Sequence, residues 1–235
     1  MTFEIPRLKW LWFGFNNWWG RNAAYLFIRI FWKAVITGRQ HLPRTGAGIL
    51  VSNHISHFDP PLMGARCGRP VDFVTSLEFF GNPVMRAFFL SVGCVPLNRF
   101  GVDRKAIRHC LDRLKNGRLL GLYPEGGLRS GERSVLNGAP ITEGAATLAL
   151  LSGAPIHPCV ILGSDRLYDP KSWFQGRRLW IRYGPPLHVT KGMDRSRLNA
   201  QIAQSLRDLY QEMITDYRLT PADLPQTAQH RKGRE

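Results

Sequence analysis

Acidic residues are scarce. Only 17 Asp and Glu stand against 32 Lys and Arg, leaving a net charge of +15 on 235 residues. That imbalance argues against cationic partners and for an anionic one: nucleic acid, a lipid surface or a phosphorylated substrate. Cysteine is sparse as well. Cys67, Cys94, Cys110 and Cys159 are scattered, with no CxxC pair and no histidine at ligand spacing. This excludes a disulfide framework or a zinc site and suits packed thiols in a reducing compartment. Long apolar runs are missing, because Arg29 and Lys33 interrupt the best candidate for a membrane span. No clean apolar core followed by a small-residue cleavage site marks a secretory signal, and there is no internal repeat. What remains, 44% hydrophobic and 21% charged, is the composition of a folded chain with room for one sizeable domain or two small ones.

Aromatic residues crowd the first segment: Trp10, Trp12, Phe13, Phe15, Trp18 and Trp19. From Ala23 to Ile36 the spacing predicts a helix, with Phe27, Ile30, Phe31 and Ala34 on one face and Arg29 and Lys33 on another. Rings at headgroup level beside cations suit an amphipathic helix lying in a membrane interface; a helical pair that packs on the domain is the other reading. After a turn-rich connector containing Pro43 and Gly46, strands and helices alternate. Strands are expected at 48–51, 71–75, 94–97, 119–123, 156–162 and 179–183, and helices from Asp59, Pro83, Asp103 and about Thr142. The last and longest helix carries Leu198, Ile202, Leu206, Leu209 and Met213 on one face. This alternation predicts an α/β fold with a mainly parallel sheet flanked by helices. The expected organisation is membrane-association helices over 1–40, an α/β core over 41–192, a C-terminal helix over 193–218 and a mobile tail over 219–235.

The chemistry gathers around Ser52-Asn53-His54-Ile55-Ser56-His57-Phe58-Asp59-Pro60. An apolar strand enters this stretch, and Asp59 as N-cap with Pro60 in the first helical position opens a helix. Such a turn folds His54 and Asp59 back on each other. A carboxylate bonded to one ring nitrogen fixes the tautomer and frees the other nitrogen to accept a proton. Taken alone, the spacing is equally that of a helix cap and a loop histidine. Two further loops lie at the expected carboxyl ends of strands, where ligand sites form in open sheets. One carries Asn98-Arg99, the other Tyr123-Pro124-Glu125-Gly126-Gly127-Leu128-Arg129-Ser130. Gly126 and Gly127 let backbone N–H groups approach a ligand, and Arg99 and Arg129 can grip phosphate in a forked geometry.

Taken together, these blocks resemble the glycerolipid acyltransferases, the group that includes 1-acylglycerol-3-phosphate acyltransferase. NHISHFD is similar to that family's NHxSxxD block, Gly93-Cys94-Val95-Pro96-Leu97-Asn98-Arg99 to its second, Tyr123-Pro124-Glu125-Gly126 to the start of its third, FPEGTRS, and Gly153-Ala154-Pro155-Ile156-His157-Pro158 to its fourth. They appear in order, from about Leu42 to Leu187. Two departures stand out. EGGLRS is one residue longer than EGTRS between glutamate and arginine. Thr75-Ser76-Leu77-Glu78-Phe79 also lacks the lysine often found there, so the chain needs another cation or a different acceptor.

The resemblance implies acyl transfer from acyl-CoA or acyl-carrier protein to the free hydroxyl of 1-acylglycerol-3-phosphate, giving phosphatidic acid. His54 is then the base and Asp59 its orienter. Arg99, with Glu125, Gly126, Gly127 and Arg129, is expected to seat the phosphate headgroup, and Ser56 and Ser130 are read as loop hydrogen-bonders rather than nucleophiles. No metal or cofactor is expected, and the partners are the lysophospholipid, the acyl donor and an anionic membrane surface. The expected location is peripheral or monotopic on the cytoplasmic face of a membrane. The rivals are the same transfer to another lyso-lipid and a non-enzymatic binder of anionic membrane or nucleic acid. No RNP-like, KH or helix-turn-helix signature supports nucleic acid as a partner.

Overall fold

The computed structural model describes residues 15, 16, 18–20, 22, 23, 25–27, 30, 32–174, 178–190 and 192–226. The expectations for Trp10, Trp12, Phe13, Arg29 and Phe31, and for the chain beyond 226, fall outside them. Seven strands form one sheet: β1 (Lys33–Thr37), β2 (Gly48–Ser52), β3 (Val71–Ser76), β4 (Val95–Leu97), β5 (Leu119–Leu122), β6 (Ile156–Leu162) and β7 (Arg178–Tyr183). Their order is β1-β7-β6-β2-β5-β3-β4. β2 runs parallel to β5 and β6, and β3 parallel to β4 and β5. Only β7 turns against β6, with β1 parallel to β7 at the edge.

Among the described residues from 32 onward the α-helices are α1 (Asp59–Arg66), α2 (Pro83–Ser91), α3 (Arg104–Lys115), α4 (Gly144–Ser152), α5 (Pro170–Trp173) and α6 (Arg195–Tyr217). Period-2 alternation in the buried strands divides the core into two layers. Ile49, Val51, Ile156, Val160 and Leu162 face one side with Cys110, Ala146 and the α6 stripe of Leu198, Ile202, Leu206, Leu209 and Met213. Leu50, Cys159 and Ile161 face the other with Leu62, Met63 and Phe73. The mainly parallel α/β architecture read from the sequence is the one observed.

Three details differ. The described residues between 15 and 30 are helical, but the helical spacing through Ile36 misleads: Lys33–Thr37 is an edge strand in register with Arg178–Arg182. Ala34-Val35-Ile36-Thr37 is β-branched enough to take either form, and pairing with β7 decides it. Second, Asp59 is not an N-cap. It is the first residue of α1, and its carboxylate points back into the preceding loop. Third, the chain from 219 is not loose as far as 226. Arg166 donates to the carbonyls of Ala222, Asp223 and Leu224, and Gln226 N–H donates to Asp165 at 2.9 Å. The buried polar turn after β6 fastens this segment.

Gly38 links β1 to the connector. Its φ is +76°, and a Cβ there would sit 1.8 Å from the Tyr183 carbonyl oxygen at the end of β7. Because that obstacle is backbone held in the sheet, Gly38→Ala is expected to cost about 3 kcal/mol. Thermal unfolding should show this as a Tm lowered by about 6–12 °C.

Candidate active site

The site is built where β2 runs out. Asn53 Oδ1 accepts from Ile161 N–H at 2.9 Å and its amide donates to the Ile161 carbonyl at 3.0 Å, so a buried side chain fixes the loop to β6. The next residue, His54, is aimed by two carboxylates. Asp59 Oδ2 accepts from His54 Nδ1 at 2.9 Å and from the N–H groups of Ile55 and Ser56 at 2.8 and 2.9 Å, while Oδ1 accepts from the Ser164 hydroxyl. Asp59 is fully buried, and the His54 side chain keeps 15% of its surface exposed. Since the carboxylate only accepts, Nδ1 carries the hydrogen, and Nε2 is the lone-pair nitrogen on the open side. Among the described residues Nε2 has no hydrogen-bond partner.

Glu125 turns into the protein. It is buried, with Oε2 accepting from His54 N–H at 2.6 Å and Oε1 accepting from the Ser134 hydroxyl and Val135 N–H, both at 2.8 Å. Burial pushes its carboxyl up from the usual range, and the Val135 and His54 amides and the Ser134 hydroxyl pull it back. This loop is also tied to the histidine by Arg129 N–H donating to the His54 carbonyl at 2.8 Å. The third side of the imidazole is covered by Tyr123, whose ring stacks on it at 4.0 Å and 19°. The Tyr123 hydroxyl is buried without a hydrogen-bond partner, and burial raises its pKa well above the ordinary value, keeping it protonated. Phe73 stacks on its other side at 6.1 Å.

Arg99 arrives from the loop after β4. It donates to the Gly126 carbonyl at 3.1 Å and to Glu78 Oε2 at 2.9 Å. Gly127 faces it closely enough that a Cβ there would lie 3.7 Å from Arg99 Nη1, and Gly126 has φ +69°. Arg129 is half-buried and its side chain makes no hydrogen bond or ion pair among the described residues. His54, Asp59, Arg99, Glu125, Gly126, Gly127 and Arg129 thus converge on one end of the sheet. Of these, Asp59 and Glu125 hold the loops from inside, while His54, Arg99 and the glycines face outward. Ser56 is a loop hydrogen-bonder, its hydroxyl accepting from Phe58 N–H at 3.1 Å.

Three contributors escape sequence reasoning: Glu78, Ser164 and Tyr168, whose hydroxyl lies 2.6 Å from His57 Nδ1 and 2.9 Å from His57 N. Ser164 carried one usable signal. It follows Gly163 just past β6, at the carboxyl end of a central parallel strand.

A proton acceptor oriented by a buried acid, beside guanidinium groups and glycine backbone, can deprotonate a hydroxyl next to a bound phosphate. Known proteins resemble this chain in sequence and in fold. The acyltransferase family model matches residues 33–162. The chloroplastic 1-acyl-sn-glycerol-3-phosphate acyltransferase of Brassica napus is 27% identical over 156 residues, covering 65% of this chain and 44% of that one. The N-acylphosphatidylethanolamine synthase of Arabidopsis thaliana is 30% identical over 144 residues, 55% of this chain and 49% of that one. The chain therefore spans about half the length of these curated relatives. The crystal structure of the 1-acyl-sn-glycerophosphate acyltransferase PlsC from Thermotoga maritima superposes with a TM-score of 0.66 at 20% identity, covering 86% of this chain and 79% of that one; the fold is shared.

Proposed function

The chain belongs to the acyltransferase family, and we propose that it moves a fatty acyl group from a thioester donor to the free hydroxyl of 1-acylglycerol-3-phosphate, forming phosphatidic acid. The observation that carries this reading is the His54–Asp59 pair, with its free Nε2 on the same end of the sheet as Arg99 and Arg129. His54 Nε2 takes the hydroxyl proton as the oxygen attacks the thioester carbonyl carbon. The tetrahedral intermediate collapses, the C–S bond breaks, and the thiol leaves with the proton returned by the imidazolium. A thiol of pKa about 8.5 departs with little acid assistance, so most of the catalytic demand falls on the base. Asp59 stabilises the imidazolium that forms. Glu125 acts by positioning, since it holds the His54 backbone rather than the ligand.

The phosphate would take the Arg99 guanidinium away from Glu78. That pair is between exposed side chains, where such bridges contribute about 0–1 kcal/mol, whereas a phosphate dianion can accept two parallel N–H bonds. Arg99→Ala is expected to raise KM for the acceptor about tenfold to a hundredfold and to change kcat little. Initial rates over a range of acceptor concentrations check this, and an unchanged KM removes Arg99 from the headgroup site.

No helix among the described residues is long and apolar enough to cross a membrane. Phe15, Trp18, Trp19, Leu26 and Ile30 are exposed, which supports peripheral association of the N-terminal stretch with an anionic membrane, with the core over 41–192 carrying the chemistry. A second reading keeps the transfer and changes the acceptor to another lyso-lipid. It is favoured by Leu77-Glu78, where a carboxylate and no lysine stands beside Arg99. The deciding experiment offers labelled acyl-CoA and acyl-carrier protein with a panel of lyso-acceptors. The first reading expects labelled phosphatidic acid from 1-acylglycerol-3-phosphate. Label in another lipid alone would move the assignment to the second, and label in none would overturn both.

A further inference from the structure

Helix α2 differs from α1, α3, α4 and α6, because it buries none of its nine residues. Its sequence, Pro-Val-Met-Arg-Ala-Phe-Phe-Leu-Ser, is nonetheless among the most apolar in the chain. Val84 is 69% exposed, Phe88 55%, and Met85 and Leu90 42% each. A nine-residue helix in water is too short to persist by propensity and usually relies on a buried face. Here it is held from its start: Asn82 accepts from the N–H groups of Val84 and Met85 at 2.9 and 3.2 Å, with Pro83 in the first turn. Phe89 on the inner side meets Phe79 and Phe80 at 5.9 and 5.6 Å.

The apolar surface does not stop at the helix. Leu77 and Phe79 continue it on one side; Phe100 and Val102, 86% and 83% exposed, lie in the loop after β4. Phe79 reaches to 6.3 Å from the His57 ring, and its neighbour Glu78 pairs with Arg99. The patch therefore starts at the edge of the site. A cluster of exposed apolar side chains, on segments tied together by the Phe79–Phe89 contact and by Arg99 meeting Glu78, marks a docking face.

The surrounding charge selects the partner. Arg86 on α2 and Arg104, Lys105 and Arg108 on α3 are exposed, and none is in an ion pair among the described residues. The nearby acids are already engaged, Glu78 with Arg99 and Asp103 with the α3 N-terminus. A second copy of a chain carrying +15 would bring like charges together around the contact. An anionic bilayer accepts both the apolar side chains and the cations, each cation near its surface contributing about 1 kcal/mol.

We propose that α2, with Phe79, Phe100 and Val102, is a second membrane-seating face: its apolar side chains enter the interface of an anionic bilayer beside the mouth of the site. It goes beyond the association proposed for the N-terminal stretch by placing the contact on the catalytic core itself.

The four native cysteines are buried, so a Phe88→Cys variant can be labelled selectively with a nitrobenzoxadiazole fluorophore. Gln211→Cys, exposed on α6, serves as the control. With vesicles of phosphatidylcholine and roughly one quarter phosphatidylglycerol, emission from the label at 88 is expected to shift to the blue and to be quenched by spin-labelled lipid, while the label at 211 stays water-like. The Val84→Asp/Phe88→Asp double variant should lose about tenfold in vesicle affinity while keeping turnover on a short-chain acceptor dispersed as monomers. This separation keeps a failure of the docking face distinct from a failure of the acyl-transfer reading, because the vesicle measurements need no turnover. A water-like label at 88 on bound protein, no binding to vesicles at all, or wild-type affinity in the double variant overturns the proposal. So does a blue shift that appears without lipid as protein concentration rises, which would assign the face to a second copy.

Discussion

His54→Ala is expected to lower kcat by about 10²–10⁴, the range a positioned general base supplies, while acceptor KM and Tm stay close to wild type. The separation follows from how the loop is held. Asp59 keeps three of its four donors when the imidazole is removed: the Ile55 and Ser56 N–H groups and the Ser164 hydroxyl. Glu125 still grips the backbone N–H of position 54, since that bond does not involve the side chain. The Arg129 N–H bond to the carbonyl of the same residue also survives. What disappears is the proton acceptor and a ring stacked on Tyr123. Single-turnover rates with labelled donor, measured beside thermal unfolding, check both halves. Turnover near the wild-type rate would remove His54 from the chemistry.

Asp59 offers a sharper separation, because two substitutions there should fail in different ways. In Asp59→Asn the carboxamide oxygen can occupy the place of Oδ2 and accept the three bonds that converge there. The new NH₂ then meets Ser164, whose hydroxyl can rotate to accept. Geometry and tautomer survive, but the negative charge that stabilises the imidazolium is gone. Activity is expected to fall about 10²-fold, equivalent to about 2.7 kcal/mol of barrier, with only a small change in Tm. Asp59→Ala instead strands buried donors, each costing about 1–3 kcal/mol when left unsatisfied, so the loop should loosen and the protein lose about 3–5 kcal/mol of stability. Denaturant unfolding and initial rates on both variants provide the comparison. If the Asn variant loses as much stability as the Ala variant, the hydrogen-bond geometry described for Asp59 is wrong. If it keeps full activity, the charge has no part in catalysis.

β2, β5 and β6 are legible because each is buried almost throughout and is dominated by apolar residues. β1 was not legible: its residues continue a helical spacing, and only the partner strand, far along the chain, makes them extended. The same distance limits the site. His54, Asp59, Arg99 and the glycines carry a recognisable local pattern. Ser164 meets Asp59 across 105 positions and Tyr168 meets His57 across 111; no spacing rule connects such pairs. The residue type of Glu125 suggests an outward ligand contact, whereas Ser134 and Val135 supply inward donors. An acid in a glycine-rich loop can face either way, and the fold of the following residues settles which.

The turn Ser164–Tyr168 after β6 ties together parts that the primary structure keeps far apart. Ser164 holds Asp59, Tyr168 holds His57, and between them Asp165 and Arg166 clasp the segment that follows α6. Anyone trimming the protein for crystallisation would be tempted to stop at the end of that helix. Doing so would leave the sheltered Arg166 guanidinium with no carbonyls to receive it, and the resulting slack would run through two neighbouring side chains into the chemistry. Shortened versions should keep the chain through Gln226, and a fused tag belongs beyond it.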